Sequence, residues 1–303
     1  MGKYQEYVLG AVCFLAAAVS LAAAAAICFF LFAGAVPFLQ EEGIISFLGG
    51  RDWQPTEGVF GIFPMLVGSA YVTGGAVLLG VPPGLLCAVF LARFCPAHVY
   101  RIARPLVETM AGIPSVVYGL FGISFLVPLV QRFCGGSGRG ILSAAVMLAI
   151  MILPTVISVA ESAIRAVPES YYAGARALGA SREQSVFFAL LPGAAPGMLA
   201  AVMLGIGRAV GETMAVVMVA GNQTWMPQSV TAGVRTLTGL IALEMGYAAE
   251  GKHRDALISA GAVLFVWILL MNLAAMLLQG LYSREKPRGS SRNKEKACRR
   301  QRS

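Results

Sequence analysis

Arg208 and Glu212 stand four residues apart within GIGRAVGETMAVVMVAGN, residues 205–222, a run otherwise free of charge. An Arg or Asp at the centre of a membrane helix costs roughly 2.5–3.5 kcal/mol on insertion scales, so such residues turn inward and find partners. On a continuous helix the spacing places both on one face, where they can pair. Two chemistries fit. The pair neutralises itself and fixes helix packing, or Arg208 offers an anion its planar five-donor fork while Glu212 orients it and prevents trapping. Gly207 and Gly211, also four apart, leave room for another backbone beside them. Ser115 and Tyr118 supply hydroxyls for such a path. Arg235 and Glu244 sit in an outer segment containing Gly233, Gly239 and Gly246 that is expected to fold as a short helix over the outer mouth, with Arg235 a candidate for the path. Glu108 and Glu161 are further charges near span ends.

Other chemistries lack their residues. His98 and His253 are too far apart for metal-ligand spacing and read as ordinary loop residues. Asp52 and Asp255 fall at loops or span edges, whereas an intramembrane enzyme calls for paired aspartates or Ser and His within the spans. Cys13, Cys28, Cys87, Cys95, Cys134 and Cys298 show no CxxC spacing and read as membrane thiols without disulfide or metal roles. No GxxxxGK followed by Ser or Thr occurs, so nucleotide phosphates have no such loop to bind, and no cofactor is expected in this chain.

The elements that must position these residues are apolar. Hydrophobic residues make up 57% of the 303 and charged ones 13%, against about 25% charged in ordinary soluble domains. A crossing needs about 20 apolar residues. Six stretches qualify: 8–36, 64–92, 105–131, 141–163, 193–221 and 256–283. The first is longer than a signal-peptide core and is preceded by one basic residue, Lys3, so it is read as a span. With the N-terminus inside, sixteen Lys and Arg fall on the inner side and six on the outer, which places both termini in the cytoplasm. Trp53 and Trp225 then lie outside as interface anchors. Of 23 basic residues, nine sit between Ser283 and Ser303. That explains the net charge of +8 as a cytoplasmic tail, 284–303, that is disordered or faces lipid, with no call for nucleic acid. Pro82, Pro83, Pro114, Pro128, Pro154 and Pro196 interrupt the spans, and such breaks persist where a cavity or neighbours satisfy the freed carbonyls.

Between the fourth and fifth spans, AVPESYYAGARALGASREQSVFFALLP (166–192) predicts a short amphipathic helix, a turn at Gly179 and Ala180, and a second helix. Tyr171, Ala175 and Leu178 form a modest apolar ridge that needs a partner. Here the chain resembles the permeases of binding-protein-dependent ABC importers. Their loop motif reads EAA, three residues, Gly, nine residues, Ile, one residue, Leu-Pro, and it maps onto Ala173, Gly174, Ala175, Gly179, Ala189, Leu191 and Pro192. Ala173 stands for the Glu, Gly174 for the first Ala and Ala189 for the Ile, while the spacing, turn glycine and Leu-Pro are kept. The resemblance implies an ATPase-coupling loop, 164–192, docking on a separate ATPase subunit that binds ATP and Mg; a plain surface helix is the alternative.

The runs GRAVGETMAVVMVAGN, ETMAGIPSVVYGLFGI (108–123) and TLTGLIALEMGYAAEGKHRDALISAGAVLFV (236–266) are similar to the phosphate permease type called PstC. Thr213 and Met214 distinguish the run from sulfate and molybdate permeases, and Gly221 and Asn222 from the sister type PstA. The resemblance covers about 60–278. It implies an all-α, six-span, MetI-like permease divided into an N-terminal span and outer loop (1–60), a permease domain (61–283) and the basic tail. Its implied partners are a PstA-like permease, two PstB-like ATPases, a PstS-like binding protein and membrane lipid, in the cytoplasmic (inner) membrane. Permeases for sulfate, molybdate or phosphonate, and an ATP-independent anion transporter, are the alternative readings.

Overall fold

The computed structural model describes residues 3–284 and is almost entirely helical. Helix α1 (Lys3–Glu42) leads through α2 (Ile44–Gly49) into a ribbon of β1 (Trp53–Gln54) and β2 (Val59–Phe60), antiparallel with Trp53 opposite Phe60. Helix α3 (Phe63–Val89) widens into a π turn, Phe90–Phe94, and α4 (Ala97–Ala111) follows. A crossing is then assembled from α5 (Ser115–Phe121), a π turn at Gly122–Leu126 and α6 (Val127–Cys134). Helix α7 (Ile141–Arg165) precedes α8 (Glu169–Ala177) and the short α9 (Arg182–Gln184), which runs through a third π turn, Ser185–Leu190, into α10 (Leu191–Gly211). The chain closes with α11 (Met214–Val219), α12 (Leu237–Glu244) and α13 (Lys252–Arg284).

Six helical segments are long and apolar enough to cross a membrane, as expected, but two boundaries move. The third crossing is Ser115–Cys134 rather than 105–131, because Gly112 to Pro114 breaks the helix. The fifth is Arg182–Gly211 and stops at Glu212, whose backbone is extended (ψ 127). Beyond Arg284 the basic tail, with Cys298, lies outside the described residues.

Helix α7 is the axis of the bundle: two-thirds of its most apolar window is buried, against none of that of α1. It packs most extensively on α3 and next on α10. Helices in lipid gain little from apolar transfer, so close approach of backbones must supply the stability. Gly80 and Gly84 of α3 provide it: a Cβ at either would come within 3.0 Å of Ile152 or Val156 of α7. Helix α1 touches chiefly α13, where the Ser259 hydroxyl donates to the Ala35 carbonyl at 3.4 Å.

Each end of the bundle has its own core. Phe38, Phe47, Phe60, Ile62, Leu240 and Leu257 close one end. Ala88, Ile164, Val167, Val186, Leu190 and Ala194 close the other, where α8 lies.

Candidate functional site

The expected pairing of Arg208 with Glu212 does not form. Both sit where one helix would have set them face to face, but the helix ends between them. Glu212 turns into extended backbone and its Oε1 accepts from the Ala215 N–H at 3.1 Å, capping α11. The Glu212 carbonyl, freed by the break, accepts from the Thr238 hydroxyl at 3.3 Å. Arg208, half-buried, donates from Nη1 to Thr155 Oγ1 of α7 at 2.9 Å. Among the described residues no carboxylate lies within 4.0 Å of Arg208. The arginine therefore keeps its charge and most of its donors. Gly207 and Gly211, on the adjoining face of α10, have open space where a side chain would point.

Tyr118 lies within electrostatic reach of Arg208, and its hydroxyl donates to the Met110 carbonyl at 2.9 Å, stapling the break between α4 and α5. Ser115, half-buried, opens α5 with no hydrogen-bond partner for its hydroxyl among the described residues.

Arg235 belongs to a different cluster. Its Nη1 meets Glu244 Oε1 at 2.6 Å and its Nε donates to the Asn222 carbonyl at 3.2 Å. Glu244 is buried at the end of α12, and its Oε2 also takes the Trp53 indole N–H at 2.9 Å and faces His253 Nε2 at 2.9 Å. Two expectations are corrected here. Trp53 is no interface anchor: it is buried against Phe60, because its N–H has an ionised acceptor inside the protein. His253 is no plain loop residue, since it opens α13 beside that same carboxylate. Trp225 is exposed.

At the opposite end Glu161, read from sequence only as a charge near a span end, is fully buried. It accepts from Tyr100 at 2.9 Å, Arg104 at 3.2 Å and Arg165 at 2.7 Å, with the Arg165 guanidinium 4.7 Å from the Tyr100 ring centre. Arg104 also holds Glu108 at 2.7 Å; that bond, then the one to Tyr100, raises its pKa above its already high ordinary value. Arg165 is a local i, i+4 partner, but Tyr100 and Arg104 lie 61 and 57 residues from Glu161 in sequence, so no local pattern announces the whole cluster.

The loop beside it folds as helix, turn, helix. Gly179 (φ +87) makes the turn, and Ser181 with Gln184 forms a capping box that starts α9. Helix α8 buries none of its residues: Ala173 and Gly174 are exposed, Ala175 is half-buried, and Leu178 is 91% exposed. Leu191 and Pro192 head α10 directly after the π turn, where the helix has already widened.

A six-span membrane bundle, with an unpaired arginine within it and a bare helical loop at one end, has the architecture of a transport permease subunit. The chain belongs to the family of binding-protein-dependent transport system inner membrane components, whose model matches residues 80–286. It is 37% identical to the "Probable ABC transporter permease protein YqgH" of Bacillus subtilis over 89% of this chain and 88% of that protein. It is 32% identical to the "Phosphate transport system permease protein PstC" of Mesorhizobium japonicum over 84% of each. Among solved structures, the MetNI methionine ABC transporter in an inward-facing conformation superposes with a TM-score of 0.58, at 20% identity, over 76% of this chain and 99% of that one. A bacterial alginate ABC importer gives 0.60 at 14% identity, over 93% and 100%. These structures share the fold, and the chain is a multi-pass inner membrane protein.

Proposed function

We propose that this chain is the permease subunit of an ATP-driven importer that carries inorganic phosphate into the cell. The observation that carries the reading is Arg208: a half-buried guanidinium in the fifth span with no carboxylate among the described residues to neutralise it. Its planar fork suits phosphate oxygens, and a single cation binds an anion weakly enough for release. The phosphate transport permeases that it resembles over most of its length support the choice of anion.

Both termini are placed in the cytoplasm by the excess of Lys and Arg on that side. The Glu161 end, with α8, then faces the cytoplasm and the Glu244 end faces outward. Ala173, Gly174, Ala175, Gly179, Leu191 and Pro192 belong to the loop through which a PstB-like ATPase, binding ATP and Mg, drives the movement. The exposed Leu178 supplies the apolar contact. A PstA-like permease completes the path, and a PstS-like protein delivers phosphate at the outer end. There Arg235, fixed by Glu244, braces the mouth, while Ser115 and Glu212 line the path near Arg208.

The test is uptake of radiolabelled phosphate into vesicles holding the purified complex, with and without ATP, with sulfate and molybdate as competitors. ATP-dependent uptake that both competitors leave unchanged is expected. Uptake that follows an ion gradient without ATP, or purification without an ATPase subunit, would sink the reading.

A further inference from the structure

The loop helix α8 packs on the nearby π turn Ser185–Leu190, and side chains tie it as well to the end of α3. Arg93 of the π turn Phe90–Phe94 meets Glu169, in the first turn of α8, at 2.8 Å, and its guanidinium carbon stands 5.8 Å from the Tyr172 ring centre. Arg182 of α9 reaches back to the Arg93 carbonyl at 2.6 Å, its guanidinium 5.2 Å over the Phe94 ring.

A π turn misaligns carbonyls that an α-helix would satisfy, and α3 ends in one. The orphans are taken by arginines from other elements: the Arg93 carbonyl by Arg182, and the Leu91 carbonyl by Arg165 of α7 at 2.9 Å. The two sides of the loop thus grip one short turn, and α7 grips it from behind. The fit is also incomplete. Arg93 Nε is buried without a partner among the described residues, so part of this guanidinium's bonding capacity is unspent in the state seen here.

Resting on the reading of 164–192 as the ATPase-coupling loop, we propose that Arg93 and Arg182 are positioning residues of the transport cycle. They make the π turn at the end of α3 the joint that receives the movement of α8. Helix α3 then carries that movement along its close contact with α7, on which Thr155 holds Arg208. The unspent Nε leaves a second seat for the Glu169 carboxylate when the loop shifts.

The experiment measures phosphate imported per ATP hydrolysed in vesicles containing the whole complex, for Arg93→Glu, Glu169→Arg and the double exchange. Loss of folded protein lowers both quantities together, whereas loss of the joint lowers uptake while hydrolysis continues. Each single reversal is expected to cut the ratio roughly tenfold, within the usual range of coupling between sites, and the double exchange to restore most of it. An unchanged ratio in the singles, or no recovery in the double exchange, overturns the proposal. Because reversal can block insertion, Arg93→Lys and Arg182→Gln are measured alongside, and a normal ratio in both also overturns it. Cross-linking of a Leu178→Cys chain to the ATPase separates the two ideas. No cross-link defeats the docking reading itself, while a cross-link without rescue by the exchange defeats only the joint.

Discussion

Arg208 and Glu212 lie on opposite sides of a helix break: one donates to Thr155 at 2.9 Å, the other accepts from the Ala215 backbone at 3.1 Å. Their charges do not cancel. The break changes the role of each, since Glu212 holds the start of α11 and Arg208 is left as a cation facing the interior.

Replacing Arg208 by Gln should therefore lower phosphate uptake by roughly tenfold or more, the loss of a charge-assisted hydrogen bond of about 1.5–3 kcal/mol. Protein level should stay near normal, because no buried carboxylate among the described residues is orphaned. Adding Glu212→Gln should not rescue the loss. Restored uptake in the double variant would mean that the two charges do compensate each other during transport.

The fold was legible in the sequence because a membrane span needs only length and apolarity, and 8–36, 64–92 and 141–163 meet both. The loop helix, its Gly179 turn and the short helix before Glu244 were legible for a similar local reason: each depends on residues a few positions apart. Spacing failed at Arg208 and Glu212, where i, i+4 pairing presumes an unbroken helix; Gly211, which ends α10, and Thr213, which immediately precedes α11, are the only local marks of the break, and an apolar run on both sides hides them. It also failed at Glu161 and Glu244. Their partners Tyr100, Arg104 and Trp53 come from distant segments, and only the packed bundle brings them together.

Glu161 should be the most costly of the charged residues to remove. Glu161→Ala leaves Arg104 and Arg165 without their shared acceptor. Breaking a buried pair costs about 3–5 kcal/mol; because both arginines are about a third or more exposed, the lower end, about 3 kcal/mol, is expected. Thermal unfolding in mild detergent measures it, and Glu161→Gln, which keeps an acceptor, should fall between the variant and the parent. A loss below that of Glu108→Ala, an exposed partner of Arg104, would contradict the hub assignment.

At the Glu244 end of the bundle, Trp53→Phe keeps the ring contacts with Phe60 but removes the N–H that Glu244 accepts. A hydrogen bond to a charged group contributes about 1.5–3 kcal/mol, so a loss in that range is expected by the same unfolding measurement. In a Glu244→Gln background the further loss on Trp53→Phe should shrink, as it must if the two residues act together. Additive losses would place the Trp53 contribution in its ring packing alone.

Gly179 separates conformational from steric effects in the loop. Its φ of +87 is unfavourable for a residue with a Cβ, yet a Cβ there would meet nothing within 4 Å. Valine costs backbone strain of order 1–2 kcal/mol without any clash, while asparagine tolerates the left-handed region. Gly179→Val should therefore shift α8 and lower the phosphate imported per ATP, with insertion intact. Gly179→Asn should stay close to the parent. If the two variants behave alike, the turn's handedness is not what sets the loop against the ATPase, and the surface that Gly179 presents becomes the determinant instead.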